Sequence, residues 1–231
     1  MTATNESTLV SPHPSAFDES GWSWMPPPPG REALMQRHGL RIARTGGSGP
    51  VYEHAVRVRE AAYGAAYDVE RANVVDECDR HSRIFCAYLH GEPVGTLRHT
   101  YASEGPLPCE EFYPETFVSA HRPWLGSATK FAVARGVPGG LEVGRLLLET
   151  GWASCLPDGI RVDVIDTYER MVPYYRRLGY LATKLTFTHP KLGGVARVMV
   201  FTADSAQRTP FQRLFVGIDH PIPAADLLSH F

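Results

Sequence analysis

The residues from Phe131 to Tyr180 hold the strongest hint of chemistry in this chain. A run of small and apolar residues, Thr129 to Ala134, leads into a glycine-rich stretch, Arg135 to Gly140, and then into a helical pattern. Such a turn presents backbone N–H groups and the positive end of a helix to an anion, and phosphate is the usual guest. It also serves as a plain strand-to-helix connection that needs glycine for its geometry, so the turn alone leaves both readings open. Other constellations say less. Ten histidines are scattered without metal-ligand spacing, and His54, His81 and His90 read as surface residues. Cys78, Cys86, Cys109 and Cys155 form no CxxC-like pairs, so no metal site is expected and the thiols read as reduced. A nucleophile set can be drawn from Cys86, His99 and Asp163, but a chain of this length offers many such triples by chance.

The elements that must position these groups follow from periodicity. Val51 to Tyr67 lacks proline, is rich in Ala, Arg and Glu, and reads as a helix with Arg59, Tyr63 and Tyr67 on one face. Arg71 to Ser82 reads as a loop. Ile84–Leu89 and Pro93–Tyr101 form a hairpin about His90-Gly91-Glu92. Residues 103–124 read as a loop with a short helix. The glycine turn opens a helix over Leu141–Cys155, whose inward stripe is Val143, Leu146, Leu147, Thr150 and Ala153. Ile160–Ile165 alternates as a strand, and Asp166 or Thr167 is placed to cap a further helix that ends at Gly179. Pro173 either kinks that helix or marks its first turn. Leu181–Thr188 and Ala196–Thr202 form a second hairpin, and a short amphipathic helix is expected after Pro210. Strand-helix-strand units make parallel neighbours and hairpins make antiparallel ones. The fold class is therefore α/β, a mixed sheet with helices on both faces.

Bulk properties narrow the classes. With 231 residues, 43% hydrophobic and 21% charged, the chain can bury one core. A net charge of -2 argues against nucleic acid and anionic membranes as partners. No window approaches the ~18 apolar residues of a spanning helix. The opening MTATNESTLVSPHPS lacks the basic start and apolar core of a secretory signal, so a cytoplasmic location is expected. Residues 1–50 hold Pro26 to Pro29 and Gly46-Gly47-Ser48-Gly49-Pro50, a tail or linker composition with Trp22, Trp24 and Met25 as apolar anchors. Residues 51–231 are the expected folded domain.

The order strand, glycine turn, helix, strand, helix, closing on Tyr174-Tyr175-Arg176-Arg177-Leu178-Gly179-Tyr180, resembles the GNAT superfamily of acyltransferases. The resemblance implies a V-shaped gap between the parallel strands 129–134 and 160–165, where a phosphopantetheine thioester lies. It implies that backbone N–H groups at Phe131, Ala132 and Val133 polarise the thioester carbonyl. It makes Tyr175 the acid that protonates the leaving thiolate; the plain alternative is a core aromatic.

The front half resembles a narrower branch, the acyl-homoserine-lactone synthases and N-acyl amino acid synthases. The matching pieces are Arg59 and Tyr63 on the first helix, Val75-Asp76-Glu77-Cys78-Asp79, Val94-Gly95-Thr96-Leu97-Arg98, and Ser127-Ala128-Thr129-Lys130-Phe131, over about residues 52–202. Carried over, Arg59, Asp76, Asp79 and Arg98 form a polar cluster at the acceptor site; a structural ion-pair network is the alternative. The chain departs from the pattern twice. Ser127 stands where the signal synthases carry Glu and Lys130 where they carry Arg, which leaves His99, Asp163, Asp166 or water as the base. Glu142 stands where CoA enzymes carry the central glycine of Arg-x-x-Gly-x-Gly/Ala, with Gly144 at its last position. A carboxylate there repels a diphosphate, so the expected donor is acyl carrier protein, with Arg135, Gly139, Gly140, Gly144 and Arg145 around its single phosphate. The implied activity is transfer of an acyl group from an acyl-carrier-protein or CoA thioester to a small amine or amino-acid acceptor, with no tightly bound cofactor. The alternatives are a CoA-dependent small-amine acetyltransferase and a catalytically silent binding module of the same fold.

Overall fold

The computed structural model describes residues 21–67, 74–191, 193–218 and 222–231. Residues 1–20 of the expected tail, and residues 68–73 with the start of the expected loop, lie outside them.

Among the described residues, eight strands form one sheet in the order β1-β2-β3-β4-β5-β6-β8-β7. They are β1 (Trp22–Trp24), β2 (Leu40–Thr45), β3 (Ser82–Leu89), β4 (Glu92–Tyr101), β5 (Leu125–Val133), β6 (Val162–Tyr168), β7 (Leu181–Thr188) and β8 (Val195–Thr202). Every neighbouring pair is antiparallel except β5 with β6. The mixed sheet expected from the sequence is therefore present. The β3–β4 hairpin closes through His90 and Gly91, both at positive φ, the backbone that matches the twist of two antiparallel strands.

Helix α1 spans Glu32–His38, α2 Pro50–Tyr67, α3 Glu115–His121, α4 Gly140–Cys155, α5 Val172–Arg177 and α6 Ala224–Leu228. Side-chain alternation along β3 sorts the faces. Ile84 and Cys86 pack with Val51, Ala55 and Val56 of α2, whereas Phe85 and Ala87 pack with Val143, Leu146 and Leu147 of α4. The two helices thus cover opposite faces. Beyond α2 its face continues over Leu125, Val162, Val164, Val198 and Val200, covered by Phe117, Val118 and Leu227.

Two expectations change. Residues 22–45 do not run as a tail. Leu40-Arg41-Ile42-Ala43-Arg44-Thr45 adds β2 along the edge of β3, with Leu40, Ile42 and Ala43 buried, so the sheet continues across residue 50. Arg31 fixes this segment to α4 through two hydrogen bonds to the buried Glu149, at 2.9 and 3.0 Å. The proline and glycine on either side hide a six-residue strand that closure of the sheet stabilises. Second, Asp166 and Thr167 cap no helix: β6 runs through Tyr168 and α5 starts at Val172, with Pro173 in its first turn, where the missing N–H costs nothing. The segment after Pro210 holds a short 3₁₀ turn and then α6.

Candidate active site

β5 and β6 pair only at Leu125 with Val162 and at Gly126 with Asp163, then part. Asp163 closes the apex: its Oδ1 accepts the Ala128 N–H at 2.8 Å and its Oδ2 accepts the Tyr180 hydroxyl. A carboxylate thus replaces the backbone partner that the divergence removes. Above it, β5 carries a bulge. Arg98 faces Thr129 and Thr96 faces Ala132, so β5 has one extra residue, and Lys130 takes a positive φ of 51°. Ala134 donates to Val94 O at 2.8 Å, and Ala132 faces Thr96 two residues on, so these amides point to β4. By alternation the amides of Phe131 and Val133 turn to the other edge, into the gap. Of the three residues expected to present amides there, Ala132 is therefore spent on the ladder.

A cleft of about 920 Å³ runs through the gap. On one side Val133, Gly136, Gly140, Gly144, Tyr174 and Tyr175 line it; on the other stand Asp76, Lys130, Asp166 and His189. Gly144 lets α4 lie close to β5, because a Cβ there would sit 3.0 Å from the Phe131 ring. Gly136 and Gly139 take positive φ in the turn. Burial, with the Tyr63 and Tyr174 hydroxyls beside it, raises Tyr175 well above an ordinary phenol, so it is protonated at neutral pH. Three expected phosphate contacts, Gly139, Arg135 and Arg145, do not line the cleft. Arg135 is exposed in the turn. Arg145 pairs with Glu142 and lies 3.9 Å from Glu149, because the carboxylates one turn away on its own helix are nearer than the groove.

The structure brings Arg59, Asp76, Asp79 and Arg98 together, with all but Asp76 buried. Arg59, on the inner face of α2, has no solvent exposure. Its Nη1 donates to both Asp79 oxygens, at 3.1 and 2.9 Å. Arg98 Nη1 donates to Asp79 at 3.0 Å and to Asp76, and its Nε donates to Thr129 Oγ1 at 3.1 Å. Tyr52 adds a hydrogen bond to Asp79 at 3.1 Å. Arg59 and Asp79 lie behind the wall, whereas Asp76 and Arg98 reach the cleft. Lys130 and Lys191 stand 3.4 and 3.9 Å from Asp76 Oδ2. Burial would raise the Asp76 carboxyl, but Arg98, Lys130 and Lys191 outweigh it and hold it below the usual carboxylate range. Burial, with Arg98 nearby, pulls the Lys130 ammonium down to about 8.

The three side chains weighed as bases separate cleanly. His99 and Asp163 are buried at the apex, 3.7 Å apart, and do not reach the cleft. Cys86 lies on the α2 face, whereas the His99 ring packs against Trp152 of α4, so that nucleophile set is not assembled. Ser127 is buried in the sheet and does not line the cleft. Asp166 does line it, with His189 Nε2 3.6 Å from its Oδ2 and Cys109 Sγ 3.9 Å from the same nitrogen. His189, from the β7–β8 loop, and Lys191 were not singled out in the sequence; His-Pro-Lys at a hairpin tip gave little sign of them. Cys109, Asp166 and His189 also lie close enough to share an ion. However, Lys191 N–H donates to His189 Nδ1 at 3.1 Å, so in the neutral ring the proton sits on Nε2, the nitrogen a metal would need.

A mixed sheet that splays between two parallel strands, with a glycine turn and helix at one side of the splay, is the GNAT fold, and the protein is an acyltransferase. A family model for the N-acyl amino acid synthase FeeM matches residues 54–202, and the chain belongs to that family. The structure resembles FeeM from uncultured soil microbes with a TM-score of 0.60 at 16% identity, covering 75% of this chain and 98% of that one. It resembles the CoA-dependent acyl-homoserine lactone synthase BjaI at 0.55 and 16%, covering 80% and 95%. It also resembles an acyl-CoA N-acyltransferase from Pseudomonas aeruginosa at 0.51 and 12%, covering 71% and 99%. No curated protein matches the sequence. No described helix is long and apolar enough to cross a membrane.

Proposed function

We propose that this enzyme moves an acyl group from an acyl-carrier-protein thioester to the amine of an amino-acid-like acceptor, giving an N-acyl amide. The observation that carries the reading is the single cleft through the strand gap, with a glycine-lined groove on one side and a ring of charged side chains on the other. The pantetheine arm lies along Gly136, Gly140 and Gly144. The amides of Phe131 and Val133 meet the thioester oxygen as it gains charge. The amine attacks the carbonyl carbon, the C–S bond breaks, and Tyr175 gives its proton to the departing thiolate. Asp76, Arg98 and Lys130 bound the acceptor side, with Arg59 and Asp79 holding Arg98 from behind.

The preference for carrier protein over free CoA rests on the first turn of α4. Its Gly140, Glu142 and Val143 amides already bond to Val137 O and Gly139 O, and Glu142 adds a negative charge. That leaves little for a diphosphate. A cytoplasmic setting belongs to the same reading. The test is thiol release from acyl carrier protein and from acyl-CoA with a panel of amines, read with mass spectrometry of the products. Release of carrier-protein thiol with an N-acyl amino acid as product is expected. No release from either thioester would end the transferase reading, and equal use of short acyl-CoA would replace it with an ordinary acetyltransferase.

A further inference from the structure

The ammonium of an amine acceptor must lose a proton before it can attack, and Ser127, which stands where the signal synthases carry Glu, is a buried hydroxyl outside the cleft. Asp166 is placed for the task. β6 is in step with β5 at Gly126 and Asp163, so Asp166 falls level with Thr129, beside the bulge at Lys130 and below the two amides that face the gap. Its side chain emerges on the opposite face of β6 from Asp163, toward the charged half of the cleft. The tautomer fixed by Lys191 N–H leaves the proton of neutral His189 on Nε2, the nitrogen nearest Asp166 Oδ2.

We propose that Asp166 is the general base that takes the acceptor's proton, and that His189 is a positioning residue that keeps its carboxylate aimed into the cleft. The assignment rests on the acyl-transfer reading above. Two protons leave the nitrogen as ammonium becomes amide. One goes to Asp166 and on to water; the other balances the proton that Tyr175 gives to the thiolate.

The surroundings suit a base. Burial raises Asp166 above an ordinary carboxyl, His189 opposes that shift, and Lys130 and Arg98 oppose it further. Cys109 and Tyr113, from the segment between β4 and β5, and Tyr175 of α5 also act on it, and Asp76, Glu111 and Lys191 line the same cleft. Burial lowers His189 from its usual value, and the Asp166 carboxylate beside it opposes that shift.

The experiment is the pH dependence of kcat/KM for the amine in wild type, Asp166→Asn, His189→Ala and His189→Gln, with acyl-carrier-protein thioester saturating. Asp166→Asn is expected to lose roughly 10²-fold or more at pH 7. It should regain rate toward high pH, where the amine arrives already deprotonated, and thioester binding should stay unchanged. His189→Ala should move the acid limb to higher pH, because the residue that holds Asp166 ionised is gone, and His189→Gln, which keeps an N–H donor, should move it back. An Asp166→Asn enzyme with the wild-type rate and profile overturns the assignment. So does an equal loss at every pH. A wild-type enzyme that releases no thiol sinks the acyl-transfer reading instead, whatever the variants do.

Discussion

The amide of Ala128 donates to Asp163 Oδ1 at 2.8 Å where β5 and β6 cease to pair. This one contact lets a sheet open without leaving a buried amide unpaired. The carboxylate enters from the second strand, accepts the amide, and anchors Tyr180 of the Leu-Gly-Tyr turn on its other oxygen. The apex of the gap is therefore a folding element as much as a part of the site.

Asp163→Ala should leave two buried donors without partners, at roughly 1–3 kcal/mol each. Tyr180→Phe removes one donor together with its need for a partner, and should cost less. Urea unfolding of both variants beside wild type checks the order. Asp166→Asn, three residues away and open to the cleft, should unfold near the wild-type midpoint.

Asp79 is 2% exposed and binds both Arg59 and Arg98. Arg59→Met leaves part of that carboxylate's charge uncompensated in the interior, and truncating one partner of a buried pair costs about 3–5 kcal/mol. Asp79→Leu also takes a partner from Arg98 and Tyr52, so the double variant Arg59→Met, Asp79→Leu should recover only part of the loss. A double-mutant cycle by denaturant unfolding reads the coupling.

Lys130 titrates near pH 8 in the folded protein against 10.5 for a free lysine. Between those values the unfolded chain binds more protons than the native one, so this residue makes stability rise with pH across that window; below about 8 both states are protonated and the slope from it vanishes. Subtracting the curve of Lys130→Met from that of wild type should isolate a rising slope from about pH 8 toward 10.5. A flat difference would mean that Lys130 keeps its ordinary ionisation.

Gly144→Val places a branched side chain 3.0 Å from the Phe131 ring at the wall of the groove. Overpacking of this kind costs about 1–3 kcal/mol. It should also raise KM for the thioester well before it changes KM for the amine. Steady-state kinetics with each substrate varied in turn measures that split.

Glu149 is fully buried, yet it meets Arg31 at 2.9 Å, Arg213 at 2.5 Å and Arg145 at 3.9 Å. It ties the segment before β2 and the segment after β8 to α4. Glu149→Gln should loosen both ends, read as faster proteolysis around residues 22–45 and after residue 203 with the centre of the domain still resistant.

The sequence by itself determined the order of elements from residue 51 onward, because amphipathic periods and glycine turns are local. It also determined which residue types were on hand: paired Asp and Arg, a tyrosine-rich helix end, a glycine turn. It gave no sign that residues 40–45 form a strand, since a strand of that length gains its stability from a neighbour far along the chain. It set Arg145 beside a phosphate, whereas Glu142 and Glu149 hold it one turn away. It also could not separate the two carboxylates in Val162-Asp163-Val164-Ile165-Asp166. Residues three apart on a strand point to opposite faces, and only the pairing of β5 with β6 decides which face is the sealed apex and which the open cleft. Tertiary structure therefore made Asp163 a sealed support and opened Asp166 to the cleft, because the burial and charge around a carboxylate are properties of its neighbours in space.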